Sequence, residues 1–246
     1  MSYNFKEIEK KVYPKTFLKD VQILLEFDGC VGDVVTISEF IKSNFNLSVN
    51  GDLIYKGIVI NTEDTLIKFQ FEQNLLKLTM RHPAYKQFAF ALRWMPIILS
   101  YLQIVHVDGV KRLAISKYNE LGYTLSGNID VAEIMRQVFS DELLNQGESK
   151  EWEQERMTFV DMTRWEKFGS IEGNDQWNSA FSYEYGFCRK ANSNNTGSLT
   201  LKTIMESKNV AIELTELENV MIAFNDVLDR GFHWCVNENI IKKMEE

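Results

Sequence analysis

Alternation of apolar and polar residues marks the first regular segment. From Phe17 to Phe27, Val21, Ile23, Leu25 and Phe27 alternate with Gln22, Leu24 and Glu26, and Asp28-Gly29 follows as a turn signal, which predicts a strand with one apolar face. Thr36-Ile37-Ser38-Glu39 then fits a capping box, with Val35 and Phe40 as the hydrophobic staple and Ile37, Phe40, Ile41 and Phe45 on one helical face. After the Asn50-Gly51 turn, Leu53 to Ile60, Thr65 to Glu72 and Leu75 to Met80 read as successive strands, with Ile67, Phe69 and Phe71 setting the period. Pro83 suits a first helical turn, and Tyr85 to Val105 predicts a long apolar helix kinked at Pro96 and ended by Asp108-Gly109. Val110 to Lys117 reads as a strand and Asn119 to Asn128 as turns. A helix follows with Val131, Ile134, Met135, Val138 and Phe139 inward.

Leu144 to Trp152 is polar and lacks periodicity, so it serves as the linker between an N-terminal α+β subdomain at 1–145 and a β-rich C-terminal subdomain at 146–246. The second part predicts strands at Met157 to Trp165, Ala180 to Arg189, Ser198 to Glu206 and Val210 to Leu214. Thr215 to Glu218 is a second capping-box match. It opens a helix with Leu217, Val220, Met221, Phe224 and Leu228 as its stripe and a stop near Gly231, and an amphipathic tail runs from Asn237 to Glu246. No fixed-period repeat is visible. The expected class is α+β: antiparallel sheets with helices packed on one face, an order compatible with two ferredoxin-like subdomains.

Composition narrows the functions. With 246 residues, 45% of them hydrophobic, the chain has material for a full core, and its formal charge of −8 works against phosphate backbones and anionic membranes. Nucleic acid is therefore a poor partner, and Arg156, Arg164, Lys167, Arg189 and Lys190 are largely offset by acidic neighbours. Lys6, Glu7, Glu9, Lys10 and Lys11 stand where a secretory signal needs an apolar run. Cys30, Cys188 and Cys235 are odd in number and far apart, which points to free thiols in a reducing compartment and a cytoplasmic location. Lys86, Gln87, Arg93, Pro96 and Gln103 interrupt the 85–105 segment too often for a membrane span.

The order of elements resembles a sporadically distributed family of bacterial proteins of similar length and unknown function. Three places carry the likeness: the strand Val21 to Phe27, the segment Arg112 to Asn119, and the closing region Phe224 to Met244. Arg112 and Asn119 match that family's Arg-led segment ending in Asn, whereas its second Arg and its Tyr fall on Ser116 and Lys117 here. The resemblance implies a shared architecture and no particular activity.

Catalytic motifs are missing: there is no Gly-rich phosphate loop, His-Glu zinc motif or nucleophile elbow. His233 and Cys235 sit one residue apart, but a structural zinc site needs about four ligands, so no metal or cofactor is expected. His82 reads as a helix cap, and His106 as a last-turn residue complementing the helix dipole. Cys30, in the loop before the first helix, is the one thiol placed for nucleophilic use. Glu151, Glu153 and Glu155 alternate as on a solvated strand edge.

The unusual feature is the aromatic group of the second half, Trp152, Trp165, Phe168, Trp177, Phe181, Tyr183, Tyr185 and Phe187. Trp and Tyr anchor interfaces, yet an alternating aromatic strand equally fills a core. The resulting expectation is a non-catalytic protein-binding or assembly module of a bacterial cytoplasmic system, acidic, and holding a protein partner or itself through Trp165, Trp177, Tyr183 and Tyr185. The alternative is an enzyme or nucleotide-sensing protein whose inter-subdomain cleft is faced by Arg112 and Asn119.

Overall fold

The computed structural model describes residues 3–9, 12–28, 34–46, 58–62, 64, 66–72, 74–85, 87–124, 131–146, 148–157, 160–190 and 196–246, with the backbone alone at 122–124, 131, 148–157, 160–165, 189–190 and 196. Its strands are β1 (Leu18–Phe27), β2 (Ile58–Asn61), β3 (Ile67–Glu72), β4 (Leu75–Arg81), β5 (Gly109–Thr124), β6 (Glu148–Met157), β7 (Val160–Glu172), β8 (Ala180–Lys190), β9 (Thr196–Glu206) and β10 (Ile212–Glu213). Its helices are α1 (Val34–Phe45), α2 (Phe88–Leu92), α3 (Met95–Ile104), α4 (Val131–Val138), α5 (Asp141–Leu144), α6 (Leu217–Cys235) and α7 (Glu238–Glu245). The strands form one sheet in the order β2-β3-β4-β1-β5-β9-β8-β7-β6, with β10 also on β5, and the paired strands run antiparallel throughout.

The topology is nearly duplicated. One strand (β1), a helix, a meander returning to that strand (β2-β3-β4) and further helices make the first unit; β5, two helices, the meander β6-β7-β8-β9 and α6 make the second. The lead strands β1 and β5 pair with each other at the centre. Each meander carries a strand or two more than a split βαβ unit, so the arrangement is larger than a ferredoxin-like pair. The expected boundary at 145/146 falls inside the second unit, because β5 and its following helices belong with β9, against which β5 pairs from Ala114 to Thr124.

Burial alternates with the pleat. Val21, Ile23 and Leu25 of β1, Leu113 and Ile115 of β5, Leu199, Leu201 and Met205 of β9, and Phe181, Tyr183, Tyr185 and Phe187 of β8 lie on the helix-covered face. In the first unit Phe40 of α1 and Tyr101 of α3 meet Phe71, while Trp94 lies edge-on to Phe69. In the second, α6 lies over β5, β8 and β9.

Several expectations shift. The single helix over 85–105 is two, with Pro96 in the first turn of α3 rather than at a kink, and the N-cap of α2 is Gln87, not His82. His106 lies just past α3 with a left-handed φ of 54°. Residues 119–124 continue β5 because β9 supplies partners, and the linker is in part β6, a charged end strand. The strand expected to end at Trp165 runs on to Glu172 as β7. Helix α1 begins at Val34, ahead of the expected Thr36 cap, and α6 has Glu216 at its N-cap. Gly231 does not stop α6: a Cβ there would stand 2.3 Å from the Phe181 ring, so glycine marks a close approach of helix to sheet. Leu53 to Gly57 and Cys30 fall outside the described residues.

Candidate binding face

Tyr183 and Tyr185 are 3% and 0% exposed. Even spacing along β8 aims both under α6 and its neighbours, and the Tyr185 hydroxyl donates to the Leu143 carbonyl at 3.3 Å. They are core residues, not an interface. Trp177 is half-buried and packs edge-on against Phe224 of α6, with ring centres 6.2 Å apart. Trp165 lies in β7 opposite Phe187, and its side chain is outside the described residues. Among the members of the aromatic group whose side chains are described, Phe168 is the one on the opposite face of the sheet that is substantially exposed.

Arg112 and Asn119 do not share a cleft. They are seven residues apart on β5, whose burial keeps alternating past the irregularity in β1 opposite Asn119, so the pleat sends them to opposite faces, about 23 Å apart along the strand. Asn119 is buried on the helical side, where its amide lies 3.5 Å from the Leu201 carbonyl. The inter-subdomain cleft expected to hold both residues is overturned by this geometry.

Arg112 stands on the other face, over which no described element packs. Its Nη1 donates to Glu26 Oε1 at 2.6 Å, and Nη2 and Nε donate to Glu206 Oε2 at 2.7 and 3.1 Å, which ties β1, β5 and β9 together. Burial opposes its charge, but the hydrogen bonds it donates to Glu206 and Glu26 outweigh this and hold its pKa above the ordinary value. Two carboxylates on one guanidinium leave the cluster locally acidic.

Across the middle of this face the register aligns Thr79, Gln22, Ser116, Ile204, Ser182 and Ser170 on six adjacent strands from β4 to β7. Four of the six are short hydroxyl side chains, which with Gln22 make this row a mostly polar track interrupted by Ile204, and Ser182 Oγ donates to Ser170 Oγ at 3.1 Å. Beside it runs Asp20, Tyr118, Lys202, Glu184 and Phe168, in which charge alternates between two exposed or half-exposed aromatics. Sequence reading assigned Ser116 no role. The signal available was the alternation in β5 itself, where Arg112, Ser116, Tyr118 and Glu120 share the even, polar face.

The remaining reactive groups lie elsewhere. Lys117, directly across from Thr203 on the helical face, pairs with Asp229 of α6 at 2.5 Å. Burial opposes its charge, but Tyr85, Asp229 and Asp226 outweigh it, so its pKa stands above the ordinary value. Cys235 is fully buried, which pushes its thiol well up, and His233 meets the Tyr13 hydroxyl through Nε2 at 2.8 Å. His233 and Cys235 thus both have packing roles. Among the described residues no group of three or more His, Cys, Asp or Glu side chains could hold a metal ion, and no helix is long and apolar enough to cross a membrane.

No family model matches the chain. No curated protein matches it either. Among solved structures, TBP of Methanococcus jannaschii is similar at a TM-score of 0.30 and 11% identity, covering 88% of this chain and 98% of that one. A superposition at that score carries no argument about what this chain does.

Proposed function

We propose that the chain is a non-catalytic binding module of a bacterial cytoplasmic system and that the uncovered sheet face is where it holds a protein partner. The observation that carries this reading is the asymmetry of the layers: helices lie on one face, and the other presents the Thr79 to Ser170 track flanked by charge and by Tyr118 and Phe168. Asp20, Glu26, Glu72, Glu120, Glu166, Glu172, Glu184 and Glu206 stand on that face against Lys68, Lys77, Arg81, Arg112 and Lys202 among the residues whose side chains are described, and the whole chain carries −8. That balance favours a basic protein surface and disfavours nucleic acid.

The test is capture of a stoichiometric partner by tagged protein from its host, repeated with Ser116→Arg on the track and with Ile222→Ser on the helical layer as control. A partner kept by the control and lost with Ser116→Arg supports the reading. One retained by Ser116→Arg, or none captured by the unaltered chain, refutes it.

A further inference from the structure

On the helical side the chain's own first described residues lie in a groove of defined chemistry. Residues Tyr3 to Glu9 run without regular secondary structure, yet Tyr3 and Phe5 are 6% and 7% exposed, while Asn4, Lys6 and Glu7 between and beyond them are exposed. The segment is gripped at three points. The Tyr3 hydroxyl lies 2.8 Å from Ser179 Oγ, whose own proton goes to Asp175, so the phenol donates into a relay ending on a carboxylate. Asp175 is itself fixed by the backbone N–H groups of Trp177 and Ser179. At Gly173 a Cβ would stand 2.5 Å from that phenol oxygen, so the missing side chain makes room for it.

Phe5 meets the Phe181 ring edge-on at 4.9 Å and Trp234 at 5.5 Å, and the cradle is deep because Gly231 lets Phe181 sit against α6. Two residues on, Glu7 pairs with Arg230 of α6 at 2.9 Å. A hydroxyl socket, an aromatic cradle and a cation thus follow one another at the two-residue spacing of an extended peptide.

Backbone hydrogen bonds to the sheet contribute little to this grip. Among the described residues up to Phe17, the backbone bonds outside helices and strands are at Lys15, whose N–H donates to the Met244 carbonyl, and at Phe17, whose carbonyl accepts from Glu120. An occupant held by side chains alone can be exchanged for another of like sequence without breaking a ladder. We propose that this groove receives, in trans, an extended partner peptide of the pattern Tyr-x-Phe-x-acidic, and that residues Tyr3 to Glu7 are its resident, displaceable occupant.

The test uses a labelled peptide with the sequence of Tyr3 to Glu9, titrated by fluorescence anisotropy into the full chain and into its Tyr3→Ala/Phe5→Ala variant. The tethered segment competes at an effective concentration of about 1 mM, so for an intrinsic Kd of about 0.1 mM the variant binds on the order of tenfold more tightly than the unaltered chain. Adding Arg230→Glu weakens that binding, and a peptide carrying Lys at the Glu7 position restores it. A folded variant that ignores the peptide, or binds a scrambled one equally, overturns the proposal. So does loss of the fold, judged by circular dichroism, because the segment is then core rather than occupant. Concentration-dependent dimerisation of the unaltered chain overturns it too, because it gives the groove to a second copy instead of a partner.

Discussion

Cutting the Lys117–Asp229 pair from its two ends should give unequal losses. The Lys117 side chain is 10% exposed and that of Asp229 is 40%, so the ammonium depends on its partner while the carboxylate can turn to water. Asp229→Ala leaves a buried cation facing Tyr85 and Thr203 and removes the acceptor for Asn225 Nδ2, at 3.0 Å. A stranded buried charge costs about 3–5 kcal/mol. Lys117→Met keeps the chain length and the apolar stem, and Asp229 retains its Asn225 bond, so the loss is about 1–2 kcal/mol. The double variant Lys117→Met/Asp229→Leu removes both charges and should recover to within about 1 kcal/mol of the unaltered chain. Urea unfolding followed by tryptophan fluorescence measures all three. If Asp229→Ala costs no more than Lys117→Met, or the double variant falls below both, the ammonium is hydrated and the reasoning fails.

Three further outcomes follow from the same packing. Gly231→Ala drives a methyl to 2.3 Å from the Phe181 ring and should cost about 1–3 kcal/mol in urea unfolding. Trp177→Ala should cost about 2 kcal/mol in the isolated chain, because its ring packs on Phe224; an unchanged midpoint would return Trp177 to the interface role expected from sequence. Burial pushes Tyr3 and Tyr101 up from 10.0 to about 12, and a folded pKa above the unfolded one means stability that is complete below pH 10 and lost as pH rises toward 12. Lys117 is also raised, so its contribution is lost in the same direction, above its ordinary 10.5. Unfolding free energy should therefore be flat from neutrality to about pH 9 and fall beyond it, with tyrosine absorbance titrating late; stability that stays flat through the alkaline range, or tyrosines that all titrate at the ordinary value, would contradict the assignment.

The strands were legible where one face is apolar. Val21 to Phe27, Ile67 to Phe71 and Phe181 to Phe187 carry their period in the sequence, and the structure places them within strands. β6 was not legible, since Glu148 to Met157 is charged on both parities and owes its form to pairing with β7. Nor was the continuation of β5 beyond Lys117, where Tyr118 to Thr124 contains turn-favouring Asn and Gly but is held by β9. Arg112 was picked out as facing a cleft, and it lies instead on the uncovered face, tied to Glu26 and Glu206. Asn119 was picked out with it, although seven residues on a strand is an odd step that separates the two faces. The N-terminal grip was hidden because Tyr3 and Phe5 stand among charges, and only Ser179, Asp175 and Trp234, distant in sequence, give them a destination.

The duplicated topology explains why an uncovered face exists. Each lead strand is followed by a helix and then by a meander that returns on the same side, so both units place their helices on one layer when β1 and β5 pair. Nothing described in either unit crosses to the other layer, and the sheet answers by polarity: the faces of β1 and β5 turned away from the helices carry Gln22, Glu26, Arg112 and Ser116 where the covered faces carry Val21, Ile23, Leu113 and Ile115. Among the described residues the apolar departures from that rule include Leu24, Val59, Leu75, Ala114, Ile204 and Phe168, and three of them, Leu24, Ile204 and Phe168, lie on or beside the Thr79 to Ser170 track. A solvent face needs no apolar side chains in its middle, whereas a contact face with a few apolar anchors inside a charged surround does. Substituting all three by Ser would thus separate the alternatives: a solvent face leaves partner capture intact, and a contact face loses it while the fold persists.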